Sequence, residues 1–322
     1  MRKIKICVLL PTVVCALLAA FQTYAAELTN ERILGALPPS FDNVGIVRYH
    51  ELDESSVVGG EFLREAAPVM ASALPNLPLI SFISRHLRIE GMALGAFALS
   101  NLDMGSGVGP SARSVFGLYV AENSLEPLIR TLENRSPVQQ ISHQEYRIFS
   151  EERNGSVVYA AFIDDRTILT SDQQDDILAM ALALQSEEIA EDSSNWRQLK
   201  DVDIDAPVLI LRDLQFPMAP PPGFEVPSAE NFILGMWMTD MSAPVFELEA
   251  ATELDVEAAE NYITTVGGIE ALSGPEGMAL RLQPRTETDS NISGTLTVVH
   301  SEMGDHYTDL VFHWMLGNWF SI

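Results

Sequence analysis

One order of predicted elements occurs twice along this chain, and it constrains the fold more than any other feature of the sequence. The order is strand, strand, helix, strand, strand, helix, first over 91–190 and again over 231–322. Val115–Leu118 and Val245–Leu248 occupy equivalent places in the two copies. The sequence therefore predicts an α+β fold with two repeated β-β-α-β-β-α modules, for which a ferredoxin-like arrangement is one candidate.

Residues 26–90 precede the modules and are predicted to form a separate N-terminal segment of strand and helices. Its predicted elements are a strand at Asn43–His50 and helices at Ser55–Leu74 and Leu79–Leu87. The region 191–230 lies between the modules and contains the proline-rich stretch Phe216–Pro227. That composition indicates a linker or a surface loop.

The first module carries the clearest local signals. Gly91–Ser100 is a nearly continuous apolar run, which is typical of a strand buried on both faces. Asn123 precedes Glu126 by three residues, and Ser171 precedes Gln174 by three, so each pair is predicted to start a helix with a capping box. The second helix should bury one face through a 3.6-residue apolar period.

The N-terminus has the pattern of a secretory signal peptide. Positive Arg2, Lys3 and Lys5 precede the apolar stretch Ile6–Phe21, and small residues surround a predicted cleavage position at Ala25 or Ala26. Pro11 interrupts this stretch, which falls short of the roughly 20 residues that a membrane-spanning helix needs. We expect 1–25 to be removed, a periplasmic or secreted location, and no transmembrane segment in the mature chain.

Composition narrows the chemistry of the mature chain. The 2 cysteines, Cys7 and Cys15, both lie in the predicted signal peptide, so no disulfide, thiolate nucleophile or cysteine metal ligand is expected. The full chain has a net charge of −26, and the predicted signal peptide contains only basic charges. An acidic protein of this kind repels nucleic acid and anionic membranes, so no nucleic-acid partner is predicted.

A short segment resembles known proteins. Val158–Leu169 has the sequence VYAAFIDDRTIL and precedes a predicted helix. It resembles a recurring segment of uncharacterised families of exported bacterial proteins, in which β-hairpin-and-helix units repeat along the chain. The resemblance implies a repeated α+β fold and an envelope location, and it transfers no functional residues.

Motifs for common chemistries are missing from the sequence. It has no glycine-rich loop ending in Gly-Lys and no Gly-x-Ser-x-Gly elbow, so no cofactor is predicted and serine-hydrolase chemistry is disfavoured. Adjacent carboxylates such as Glu151–Glu152 and Asp175–Asp176 point in different directions on a strand or helix. They are therefore expected to be solvated surface rather than catalytic pairs.

The best candidate for a metal site lies near the C-terminus. Its candidate ligands are His300, Glu302, Asp305, His306 and His313. Two imidazoles and two carboxylates at a strand-to-helix junction offer three ligands and an open position, as hydrolytic zinc requires. Ordinary capping of a helix explains the same residues, because none of the established zinc spacings is present.

The last predicted helix is apolar around most of its circumference. Tyr307, Trp314, Trp319 and Phe320 are its candidate interaction residues. Such a helix must be buried against its own sheet, in a protein partner or second copy, or in a bilayer surface. The preferred interpretation of the chain is a non-catalytic exported protein that acts by binding or assembly in the envelope. The alternatives are a metal-dependent periplasmic hydrolase using the His300–His313 cluster and a ligand-binding module with a pocket between the modules.

Overall fold

A computed structural model of the chain has an α+β fold, with one large antiparallel sheet and a few helices. The residues that this structure describes are 28–38, 40–41, 43–48, 51, 79, 82–83, 86–87, 91–100, 114–136, 138–142, 146–153, 155–186, 195–215, 231–240, 245–252, 278–288 and 291–300. The predicted signal peptide, the predicted helix Ser55–Leu74, the stretch Phe216–Pro227 and the predicted last helix lie outside these residues.

The described residues form a 12-stranded sheet. Its strands are β1 Asn43–Val47, β2 Met92–Ser100, β3 Ser114–Ala121, β4 Gln139–Ser142, β5 Arg147–Arg153, β6 Ser156–Phe162, β7 Thr167–Ser171, β8 Val208–Gln215, β9 Asn231–Asp240, β10 Val245–Thr252, β11 Met278–Thr288 and β12 Asn291–His300. The helices with described bounds are α1 Asn30–Ala36, α2 Glu126–Glu133, α3 Gln174–Gln185 and the 3-10 helix Asn195–Gln198. Residues 79, 82–83 and 86–87 are also helical.

Neighbouring strands pair antiparallel in the order β11-β12-β10-β9-β8-β1-β2-β3-β7-β6-β5-β4. At the centre, Gly45 of β1 lies opposite Phe97 of β2 and Ile210 of β8. From this centre the order is β1-β2-β3-β7-β6 on one side and β8-β9-β10-β12-β11 on the other. When β4 and β5 are left out, the first to fifth strands of each half occupy equivalent positions in the sheet. β4 and β5 extend only the first half.

Several predicted strands are confirmed. Gly91–Ser100 forms β2, and its described side chains are buried on both faces of the sheet, as its continuous apolar sequence predicts. Gly155 lies in the turn before β6 and has the positive φ of 83° that this hairpin needs. The sequence does not predict β4, whose residues are mainly polar. The region 191–230 contains the 3-10 helix and β8, which pairs with β1 and β9.

The two predicted capping boxes are wrong in detail. The N-cap of α2 is Leu125, without a side-chain cap, and α2 begins at Glu126. Leu125 is buried, and its backbone N–H donates to the Asp165 carbonyl at 2.7 Å, so a tertiary contact fixes the start of this helix. Before α3, the Ser171 hydroxyl accepts from the Gln173 backbone N–H at 3.0 Å instead of capping the helix.

Among the described side chains, apolar residues are buried on both faces of the sheet, because successive residues of a strand point to opposite sides. On one face, α1 and α3 bury Ile33 and Met180 against strand residues such as Leu94. Phe97 and Tyr119 are buried strand residues outside that cluster. Their rings meet edge to face, with centroids 5.2 Å apart. The inner side of α3 packs into this core, and its outer side faces away from the sheet.

Candidate functional site

The structure describes only one of the five predicted metal residues. His300 ends β12, and Glu302, Asp305, His306 and His313 lie outside the described residues. Within the residues that the structure describes, no group of three or more His, Cys, Asp or Glu side chains could hold a metal ion. The predicted interaction residues Tyr307, Trp314, Trp319 and Phe320 also lie outside them.

A buried guanidinium forms a polar cluster at the sheet centre. Arg48 follows β1 directly, and its Nε donates to Asn30 Oδ1 at 2.8 Å while its Nη2 donates to the Leu28 carbonyl at 2.7 Å. Asn30 in turn donates to the carbonyls of Ile204 and Ala206 at 2.7 and 3.1 Å. These bonds join the start of α1, the end of β1 and the turn before β8.

The electrostatics of Arg48 follow from its burial. Loss of water lowers the pKa of the guanidinium, and this shift is opposed by the negative charges of Glu51 and Asp205. The side chain nevertheless stays charged, because arginine is not deprotonated in proteins. The guanidinium binds the Leu28 carbonyl directly and the carbonyls of Ile204 and Ala206 through Asn30, so this permanent charge holds three segments together.

A second buried charge lies on β10. Glu249 is 1% exposed, and its carboxylate accepts from the backbone N–H of Lys200 at 2.8 and 2.9 Å and of Asp201 at 2.7 Å. Charged acceptors form stronger hydrogen bonds than neutral ones. Glu249 therefore fixes the turn after the 3-10 helix against the second half of the sheet, and the sequence alone does not single it out.

A third charge lies near the other end of the sheet and corrects a sequence-based expectation. Glu151 is only 6% exposed, so the interpretation of Glu151–Glu152 as a solvated pair is wrong for Glu151. Its Oε2 is 3.7 Å from Nη2 of Arg135, whose guanidinium carbon lies 4.1 Å from the centre of the Phe82 ring. Glu151 is buried because β5 is covered by other elements, which no local pattern reveals.

Helix α3 has an outer face that carries exposed apolar side chains. Leu182 is 61% exposed, Ala179 is exposed, and Leu178 is half-buried, although the helix also buries the predicted inner residues Ile177 and Met180. The signal was present in the sequence QDDILAMALALQ, which is apolar on nearly every side beyond its first turn. Such a helix is typical of one that is covered by a partner.

Polar contacts fix the C-terminal end of α3. Nη2 of Arg32 donates to the carbonyls of Leu184 and Ser186 at 2.6 and 3.1 Å. The Tyr146 hydroxyl donates to Gln185 Oε1 at 2.9 Å. Cationic donors at this end satisfy carbonyls that have no partner within the helix. The C-terminal end of α3 is therefore held by the side chains of Arg32 and Tyr146.

The N-terminal end of α3 is acidic. The pKa of Asp176 is raised above its ordinary value, first by partial burial and then by the negative charges of Asp172 and Asp175. Like charges that raise one another's pKa are stabilised by a nearby cation. The outer face of α3 thus combines a carboxylate cluster with an apolar surface.

Comparison with known proteins finds few similarities. No protein-family model and no curated protein matches the chain. Among solved structures, it is similar to TP0453 in crystal form I, with a TM-score of 0.46 and 9% identity over 87% of this chain and 96% of that one. Crystal form IV of TP0453 gives a TM-score of 0.43 and 9% identity over 82% and 92%. Such low scores support no functional inference.

The helices of the described residues are short or carry polar side chains. Within this part of the chain, no helix combines the length and apolar character needed to cross a bilayer.

Proposed function

We propose that this chain is an exported, non-catalytic protein that acts in the bacterial envelope by binding or assembly. The observation that carries the proposal is the apolar outer face of α3, where Leu182 is 61% exposed on a helix held in place by Arg32 and Tyr146. Rigid, exposed apolar surfaces mark sites of protein association. Export is supported by the signal-peptide pattern, and an envelope location by the resemblance of Val158–Leu169.

The buried charges support binding rather than catalysis. A general acid or base must exchange protons with a substrate that it can reach. Arg48 and Glu249 are committed to backbone groups, and Glu151 lies beside Arg135. Their contacts with other described residues indicate that these three side chains stabilise the fold.

We also infer that the two halves of the sheet are repeated units. The matching orders β1-β2-β3-β7-β6 and β8-β9-β10-β12-β11 support this inference. In the first half, β3 leads through α2 to later strands that return beside it, and β7 lies between β3 and β6, as in a split β-α-β motif. An experimental structure in which the five strands of one half superpose on the five strands of the other, with the same directions, would support this inference.

The test of the function begins with the protein recovered from periplasm or medium. Intact mass should show loss of the first 25 or 26 residues, and sedimentation after gentle extraction should show a complex heavier than the monomer. Retention of Met1, or a monomer in every extract, would contradict the proposal. Stoichiometric zinc or manganese in the purified mature protein would instead support the hydrolase alternative at His300–His313.

A further inference from the structure

The described fold begins close to the predicted cleavage position of the signal peptide. Cleavage after Ala25 leaves Ala26 and Glu27 before Leu28, and cleavage after Ala26 leaves Glu27 alone. Leu28 is the first residue that the structure describes, and only 3% of its surface is exposed. The predicted cut is therefore separated from a buried residue by one or two positions only.

Packing and hydrogen bonds hold the residues that follow the cut. The Leu28 side chain belongs to the main core cluster, together with Ile33 of α1. Its carbonyl accepts from Nη2 of the buried Arg48 at 2.7 Å. Thr29 is the N-cap of α1, where its hydroxyl accepts from the Arg32 backbone N–H at 3.2 Å and its carbonyl accepts from the Ile33 backbone N–H at 3.1 Å. Two consecutive residues are thus hydrogen-bonded within the fold.

Asn30 ties the same segment to a distant part of the chain. It is fully buried, its side chain accepts from Arg48 Nε at 2.8 Å, and it donates to the carbonyls of Ile204 and Ala206 at 2.7 and 3.1 Å. These two carbonyls lie 174 and 176 positions further along the chain. The N-terminal anchor, which we define as Leu28, Asn30 and Arg48 with these bonds, is therefore completed only after the turn before β8 has joined the sheet.

The reach of the chain decides whether a peptidase can use the cut in the folded protein. An extended residue spans about 3.5 Å, so two residues place the cut at most about 7 Å from the backbone of Leu28. Proteolysis occurs most readily where the backbone is neither buried nor hydrogen-bonded. The anchored residues that follow the cut do not meet this requirement.

Resting on the export that the proposed function includes, we propose that folding of the mature chain closes the cleavage position to the membrane endopeptidase that removes signal peptides. The signal peptide is then removed before the turn that precedes β8 reaches Asn30. In this reaction water adds across the amide bond. The water oxygen stays on the carbonyl carbon of Ala25 or Ala26 as a carboxylate, and both protons go to the nitrogen, which becomes an ammonium group. Folded precursor is cut only through local opening of the N-terminal anchor.

The test uses the full-length precursor and a purified bacterial signal peptidase in detergent micelles. Precursor is diluted from urea and meets the peptidase either at once or after a folding delay, and intact mass measures the cut fraction. The folded precursor should be cut about tenfold more slowly or less, because only its open fraction is a substrate. A control precursor carries ten glycine and serine residues between Glu27 and Leu28, which add a reach of about 17 Å. It should be cut equally fast before and after folding.

Variants of the anchor separate local opening from unfolding of the whole chain. Asn30→Ala removes the bonds to Ile204 and Ala206 and should speed cleavage of the folded precursor about tenfold, without changing cleavage of the unfolded precursor. Arg48→Lys keeps the charge but loses the paired donors of the guanidinium, and it should act in the same direction. Urea denaturation checks that each variant folds. Gly117→Ala, which crowds Thr170 in β3, is the matched control and should leave the cleavage rate unchanged.

The outcomes distinguish a failure of this proposal from a failure of the proposed function. Equally fast cleavage of folded and unfolded wild-type precursor would overturn the proposal while export stands. Equal acceleration by Asn30→Ala and Gly117→Ala would also overturn it, since opening of the anchor would then have no special part. If neither the unfolded precursor nor the precursor with the inserted segment is cut, the predicted signal peptide is wrong, and the export in the proposed function fails with this proposal.

Discussion

Arg48 and Glu249 show at the scale of residues how this acidic chain uses buried charge. Arg48 binds the Leu28 carbonyl and the Asn30 side chain, and Glu249 binds the backbone N–H groups of Lys200 and Asp201. A buried charge is tolerated only when its hydrogen-bonding capacity is used. Removing either one leaves backbone groups buried without partners, so we expect stability rather than activity to change.

Glu249→Ala should lower the free energy of unfolding by about 3 kcal/mol, since the backbone N–H groups of Lys200 and Asp201 lose a charged acceptor. Glu249→Gln keeps one carbonyl oxygen and should cost less. Urea denaturation measures both values. Glu152→Ala serves as the control, because Glu152 is an exposed residue of β5. Equal stabilities of Glu249→Ala and wild type would show that this turn does not depend on the carboxylate.

Gly117 should tolerate no side chain, although it lies in the middle of β3. A Cβ atom there would lie 2.6 Å from Thr170 Oγ1 and 3.0 Å from the Tyr119 ring. Gly117→Ala should therefore cost about 1 to 3 kcal/mol by overpacking. Thr170→Ala in the same chain should recover part of the loss, and a double-mutant cycle measured by thermal unfolding tests this coupling. Additive effects would contradict it.

Helix α3 is the element in which structure and proposed function meet. Its inner side buries Ile177 and Met180 in the core, and its outer side exposes Leu182. A helix used only for packing has a polar outer side. The acidic first turn and the apolar outer face together therefore distinguish α3 from an ordinary surface helix.

The raised pKa of Asp176 predicts a defined pH dependence. The folded state holds this proton more tightly than the unfolded chain, whose pKa is near 3.8, so the stabilisation is complete below that value and is lost as pH rises through the folded pKa. Asp176→Asn should therefore be more stable than the wild type at neutral pH, and this advantage should vanish in acid. Urea denaturation at neutral and at acidic pH measures this stability difference, and Asp165→Asn is the control. A constant difference would contradict the shift.

The whole molecule is organised around the β1–β8 pair. β1 pairs with β2 through Ile46–Ala96 and with β8 through Ile46–Leu209, so one short strand joins both halves of the sheet. Described side chains of β1 are buried along its whole length. This arrangement predicts that the two halves unfold together.

Ile46→Pro should destabilise the whole sheet by about 3 kcal/mol or more, because proline removes a ladder N–H from a central strand. Amide hydrogen exchange should then show reduced protection in β3 and in β9 together. Gln140→Pro in the edge strand β4, which pairs with β5 alone, should affect that pair only. Loss of protection confined to β2 and β3 would show that the halves are independent.

Local sequence patterns determined much of the secondary structure. The apolar run of β2, the turn glycine at 155 and the inner face of α3 are all visible in the sequence, because each depends on neighbouring residues and a fixed period. The α+β class follows from the order of these elements. The acidic charge and the absence of cysteine after the predicted signal peptide also need no structure.

Only the tertiary structure decided which strands meet and which charges are buried. Pairing of β1 with β8 joins residues far apart in the chain, and no local period encodes such a contact. Glu151 and Glu152 are adjacent acids of β5, yet Glu151 is buried and Glu152 is exposed. The start of α2 was likewise fixed by the Asp165 carbonyl rather than by Asn123. Burial is a property of the assembled sheet, whereas propensity is a property of the chain.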